Sequence, residues 1–386
     1  MCALTSRERV LKVLNHEKPD RVPIDLGATI NSSIVKEVYD ELKNYLNLPS
    51  SKTQFMDLTQ RSVKIDDVVH KYFETDIRGV VPGKSAKMKI EWIDENTFID
   101  EWGVKRNKPD DVYYFEQREF PLSGNISKQT ILNYNWPDPN DPEITNGLKK
   151  EIKELRKKSD CAIILYVPSP IIHKSQYLRG YEDWYIDCAS NVELINFLFD
   201  AILEVNLETT KNILNEVGND VDIVMTADDL GTQQSLQISP DFFRSSIKPR
   251  FKKYLDLIKQ YSPESKLFFH SCGAIEPILK DFIEIGIDII NPVQVSAKNM
   301  EPKFLKKKYG NQLSFWGAID TQDLLPNGAT EDIKKEVERI IDILGENGGY
   351  VLGATHNIQP GVPLENIITM YKHAKVYSEK YYKEKN

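Results

Sequence analysis

His270 and Cys272 stand two positions apart, after the apolar run Leu267-Phe268-Phe269 and just before Gly273. Side chains alternate along an extended segment, so residues two apart point to the same side. An imidazole nitrogen and a thiolate sulfur at one strand end are two-thirds of the protein ligands of a catalytic zinc site with an open position. The plainer alternative is a satisfied histidine beside an inert core cysteine. The following glycine and helix start favour the thiolate. His356, in Gly353-Ala354-Thr355-His356-Asn357 past the last apolar run, is the best third ligand. Asp228 and Asp229 compete with it. As catalytic groups they would accept a proton or orient a ligand, and one of them could equally cap a helix. His173, in a loop after Pro168-Ser169-Pro170, could reach the mouth of such a site and is assigned no role.

Those residues need a frame that brings three distant segments together. Apolar runs that read as strands start near residues 23, 76, 162, 221, 267, 287, 313 and 350. Most are followed by a helical pattern with apolar residues three and four apart, such as Ile275, Ile278, Leu279, Phe282 and Ile283. Eight strand–helix units predict an α/β chain folded as a (β/α)8 TIM barrel, whose chemistry lies at the strand C-termini. Residues 1–386 are read as one such domain. Residues 83–145 break the rhythm with three of the five tryptophans and alternating runs such as Lys87-Met88-Lys89-Ile90. They predict a β-hairpin-rich insertion, serving as lid, docking surface or simple flank cover. At the predicted C-terminal face the candidates for substrate contact are Asp25, Arg78, Tyr166, Asn291, Gln294 and Asp320.

The formal net charge is -8, and no basic run is longer than the three residues of Lys306-Lys307-Lys308. That argues against a nucleic-acid partner. No apolar run approaches the ~20 residues of a membrane span, and the start MCALTSRERV has no signal-peptide core, so the expected location is cytoplasmic. The four cysteines have no framework spacing. Nothing in the sequence sets the oligomeric state.

The segments TSRERVLKVLNHEKPDRVPID, HSCG, FWGAIDTQDLLPNG and GGYVLGATHNIQPGVPLENI occur in this order over nearly the whole chain. They resemble the uroporphyrinogen decarboxylase superfamily. The resemblance implies the barrel fold and one of two chemistries. One branch decarboxylates a tetrapyrrole without metal or cofactor. The other comprises zinc-dependent methyltransferases that move a methyl group between a corrinoid protein and a thiol or other small-molecule acceptor. The chain is more similar to the second. Where the decarboxylase carries an arginine segment after its first strand, Pro23-Ile24-Asp25-Leu26-Gly27-Ala28-Thr29 has none. The methyltransferase pair of metal ligands carries over to His270 and Cys272. His356 stands where that branch has a cysteine as third ligand. The resemblance thus implies Zn2+ as cofactor, with the corrinoid on a partner protein.

Overall fold

The computed structural model describes residues 4–49, 51–85 and 90–385. Seven parallel strands form one sheet: β1 (Ile77–Val80), β2 (Ala162–Tyr166), β3 (Ile223–Ala227), β4 (Lys266–His270), β5 (Ile289–Asn291), β6 (Ser314–Ile319) and β7 (Tyr350–Ala354). Each pairs with its neighbour in chain order. The expected first strand is reduced to a single bridge, Ile24 to Leu352. Pro23 has no N–H to give a ladder. The segment still closes the ring. Asp25 N donates to Leu352 O, Leu352 N to Pro23 O, and Asp76 N to Ile24 O, at 2.8–2.9 Å. The fold is therefore the expected (β/α)8 barrel, with its first stave shortened.

Period-two alternation sorts the strand residues into two cores. Ile77, Ile164, Met225, Phe268, Ile289, Trp316 and Val351 pack with one another inside the barrel, with Val10, Val13 and Leu14 of the first helix (Ser6–Leu14). Ile163, Leu165, Val224, Phe269, Ile290, Phe315 and Leu352 face the helices. Phe268 meets Trp316 edge-on, ring centroids 5.1 Å apart. This register decides which polar residues reach the inside. His270 and Asn291 each lie two residues past an inward side chain, Phe268 and Ile289, and are paired across β4 and β5.

The insertion contains a four-stranded antiparallel sheet of Glu91–Asp94, Thr97–Ile99, Lys105–Asn107 and Glu116–Glu119, paired consecutively. Most of the alternating run 87–90 lies outside the described residues. Phe98 and Phe115 pack at 4.9 Å, and the buried pair Arg106–Asp100 closes at 2.7 Å. Phe115 N donates to Thr59 O, and Leu122 N to Leu178 O, so the insertion is tied to the barrel's C-terminal side. Among the described residues no helix is long and apolar enough to cross a membrane.

Candidate metal centre

The strand end at His270 and the loop after β7 meet over the barrel mouth. One ligand atom each from His270, Cys272 and His356 lies within 4.8 Å of the others. Cys272 Sγ is 3.4 Å from His270 Nε2, and the His270 and His356 rings stand 5.8 Å apart at 67°. His270 Nδ1 is 2.5 Å from Asn291 Oδ1. An amide oxygen only accepts, so it fixes the proton on Nδ1 and leaves the Nε2 lone pair directed at Cys272. The turn carrying Cys272 is held from both sides. Cys272 N donates to Asp229 Oδ1 at 2.8 Å, and Gly273 N to Gln294 Oε1 at 2.7 Å. Gly273 sits at φ 90° against Gly231, where a Cβ would come within 2.5 Å of the Gly231 backbone. The loop after β3 can therefore pack directly on the turn after β4. His356 is steadied by Asn31, whose Nδ2 lies 3.4 Å from its Nε2. Its neighbour Asn357 ties that loop to Ser33, Ile30 and Gln60.

Burial pushes His270 below the ordinary imidazole range, and burial with His270 nearby pushes His356 down to about 4. Both rings are neutral at pH 7, the form that ligates a metal. Burial, and then Asp229, push the Cys272 thiol well above its usual value. A divalent cation is the charge that reverses this effect and stabilises the thiolate. Two neutral imidazoles, one thiol and ordered groups behind them fit a zinc ion by donor type and by spacing.

Asp229 is the second focus. Burial opposes its charge, but His173, His270 and the Cys272 N–H outweigh burial and hold it below the carboxylate range. His173 Nε2 is 3.4 Å from Asp229 Oδ2, and its ring stacks on Tyr177 at 5.7 Å. A cavity of about 180 Å³ opens here, with Asp229, His356, His173, Tyr166, Lys174 and Asn31 in its wall. Asp100, Glu101 and Arg106 of the insertion also line it, so the insertion roofs the site. Lys174 Nζ lies over the Trp102 ring at 5.0 Å. Burial would raise Glu101, yet Lys84 and Lys174 prevail and lower it to about 2.

Several expected residues do other work. Asp228 is fully buried, and its carboxylate accepts the N–H groups of Ile171, Ile172 and His173 at 2.8–2.9 Å. It caps the helix Ile172–Arg179 that follows β2 and does not line the cavity, which corrects its expected catalytic part. Asp25 is fully buried inside the barrel, accepting from Trp316 Nε1 and Ala28 N, and does not line the cavity. Asp320 accepts the N–H groups of Asp323 and Leu324, a turn cap. Asn291 and Gln294 hold the segment of His270, Cys272 and Gly273 and do not line the cavity. Arg78 is the clearest correction. Ile77 faces the barrel interior, so Arg78 faces out, and its guanidinium folds back to Thr75 and Ile77 O at the opposite end. Of the six residues expected to contact substrate, Tyr166 alone lines the cavity over the cluster. Asn31, Asp57, Glu101, Arg106, Lys174 and Tyr177 line it without a sequence signal. Asn31 comes from a loop, Asp57 from the end of a short strand, Glu101 and Arg106 from the insertion, and Lys174 and Tyr177 from the helix Ile172–Arg179, whose position over the mouth no pattern in the sequence announces.

Residues 115–377 match the family model described as Uroporphyrinogen decarboxylase (URO-D). The uroporphyrinogen decarboxylase of Hordeum vulgare is 23% identical over 287 residues, covering 69% of this chain and 84% of that protein. That of Rickettsia massiliae (strain Mtu5) is 25% identical over 278 residues, covering 69% and 74%. A solved structure described as a methyltransferase from Methanosarcina mazei has the same fold. Its TM-score is 0.67 at 19% identity, over 97% of this chain and 99% of that one.

Proposed function

The chain belongs to the uroporphyrinogen decarboxylase family, and from that premise we propose that it is a zinc-dependent methyltransferase. It moves a methyl group between a corrinoid on a partner protein and a small-molecule acceptor, a thiol or another nucleophile. The observation that carries this reading is the convergence of His270, Cys272 and His356 atoms within 4.8 Å beside the roofed cavity. A zinc ion held there would supply the Lewis acidity that lowers the pKa of a bound acceptor. This chain's own residues do the rest. Asn291 sets the tautomer of His270, and Asp229 pins the Cys272 backbone. His173 and the Asp229 carboxylate, 3.4 Å apart on the cavity wall, form the ionisable pair that is available to the acceptor's proton. The insertion limits water at the mouth. Two histidines and one thiolate leave less negative charge on a metal than two thiolates would, so an acceptor other than a thiol suits the site as well. The activity named for the Methanosarcina mazei structure is of the same class.

The curated relatives' name favours a second reading, metal-independent decarboxylation of a tetrapyrrole or related carboxylate. The cavity wall speaks against it. Asp57, Asp100, Glu101 and Asp229 face only three cations, of which Arg106 is committed to Asp100 and Lys84 to Glu101, which leaves Lys174 alone to meet a polycarboxylate. The test is methyl transfer from methylcobalamin to a simple thiol, followed by absorbance, in zinc-loaded protein. The expected result is a zinc-dependent rate that falls roughly 100-fold or more in Cys272→Ala. Coproporphyrinogen formed equally well by both proteins, with no methyl transfer, would support the second reading instead.

A further inference from the structure

At the N-terminal end of the barrel a groove of about 1230 Å³ runs along the segments that lead into the strands. Residues 4–21, 70–75 and 158–161 and the last helix (Leu364–Lys385) line it. The chain as a whole carries a formal charge of -8, yet basic side chains outnumber acidic ones here nine to five. Two of these five acidic groups, Asp20 and Glu74, are spent in ion pairs, while Glu17, Asp160 and Glu379 have no cation within 4.0 Å among the described residues. Asp76, behind the groove wall, closes on Arg9 and Arg21 at 2.6 and 2.7 Å, and Asp20 closes on Arg9 at 2.6 Å. Glu74 is engaged by Lys375.

Arg78 is left over. Its side chain lines the groove, and the residue is 9% exposed. Nη1 is fixed by Thr75 Oγ1 at 2.9 Å and Ile77 O at 2.9 Å, and Thr75 Oγ1 is itself held by His70 Nδ1 at 2.7 Å. Among the described residues no carboxylate lies within 4.0 Å of the guanidinium, and no acceptor meets its Nε or Nη2. Nε and Nη2 therefore stay open to the groove, where an anion can meet both. Lys12, Lys18, Lys71, Lys158 and Lys383 surround it on the groove wall, each without a carboxylate within 4.0 Å among the described residues.

We propose that this groove is a second binding site, remote from the metal centre, for a small polyanion carrying phosphoryl groups. Arg78 is its deep anchor, through the planar fork that matches a tetrahedral anion, and the lysines are its rim. One carboxylate would answer one cation. Six unpaired cations against three unpaired carboxylates leave an excess that matches a ligand concentrating several negative charges in a small volume, as a diphosphate does.

The experiment is calorimetric titration of the full chain with inorganic pyrophosphate, and separately with citrate, at matched ionic strength. The expected result is saturable binding of pyrophosphate at one site per chain. Arg78→Gln weakens it by roughly tenfold or more. The exposed pair Lys71→Ala/Lys158→Ala weakens it and lowers its salt dependence, which keeps the test open should Arg78→Gln fold poorly. Metal stripping by pyrophosphate would give the same signal in all these proteins. Absence of saturable binding, unchanged affinity in both variants, or citrate bound as tightly as pyrophosphate would overturn the proposal.

Discussion

His270 has one ring nitrogen committed before any ligand arrives, because Asn291 Oδ1 holds Nδ1 at 2.5 Å. In the proposed zinc site Asn291 would thus orient His270 from behind. Asn291→Leu should leave the fold intact and weaken zinc retention by about 10–100-fold, read by competition with a chromophoric chelator. Asp25 gives a separate test of the interior. Burial raises its pKa to about 6 despite hydrogen bonds from Trp316 and Ala28. The folded chain holds that proton more tightly than the unfolded one. The group's stabilising contribution is thus complete below about pH 4 and is lost as pH rises through about 6. Between pH 4 and 7 the stability of Asp25→Asn relative to the natural chain should improve by about 2 kcal/mol, measured as denaturant midpoints. A flat difference would mean an ordinary carboxyl. At this scale the sequence was legible for His270 and Cys272, because strand alternation and the following glycine give direction to both. It was misleading for Arg78. A strand end can be read from composition, but which of two adjacent residues faces inward depends on register, and Ile77 takes the inward place.

Among the elements, the strand starts expected near 76, 162, 221, 267, 287, 313 and 350 lie within two residues of those observed. Their apolar runs are buried on both faces and so stand out. The first strand, near 23, is pared to a bridge by Pro23 and is still held on both flanks. The helix after His270 was less legible. Its apolar spacing is present, but Pro277 turns the start into a 3-10 segment, Glu276–Ile278, ahead of the short helix Leu279–Glu284. Asp228 shows an element-level role that types and spacing hide, since the helix it caps lies 55 residues upstream. Asp228→Ala leaves three buried N–H groups without an acceptor and should cost on the order of 3 kcal/mol in denaturant unfolding, with metal content kept. Asp228→Asn retains one acceptor and should cost less. Activity lost in Asp228→Asn with stability unchanged would restore the catalytic reading of this residue.

Over the whole molecule, the two ends of the barrel divide the labour. The C-terminal end gathers histidines, a thiol and carboxylates under the insertion. The N-terminal end carries cations without partners. The insertion's difference in texture was legible, but its use as a roof was not. Asp100, Glu101 and Arg106 reach the cavity only because backbone bonds at Phe115 and Leu122 fold the hairpins over the mouth. Arg106→Met should leave Asp100 buried and unpaired, and destabilise the chain by about 3–5 kcal/mol. In thermal unfolding the insertion should loosen before the barrel, as faster amide exchange over 91–119.

Whether His270, Cys272 and His356 hold a metal is decided by elemental analysis of the purified chain, beside Cys272→Ala and His356→Ala. The expected result is about one zinc per chain, lost in Cys272→Ala and largely lost in His356→Ala, with both variants folded. Fully active protein without metal, or zinc retained in both variants, would contradict it.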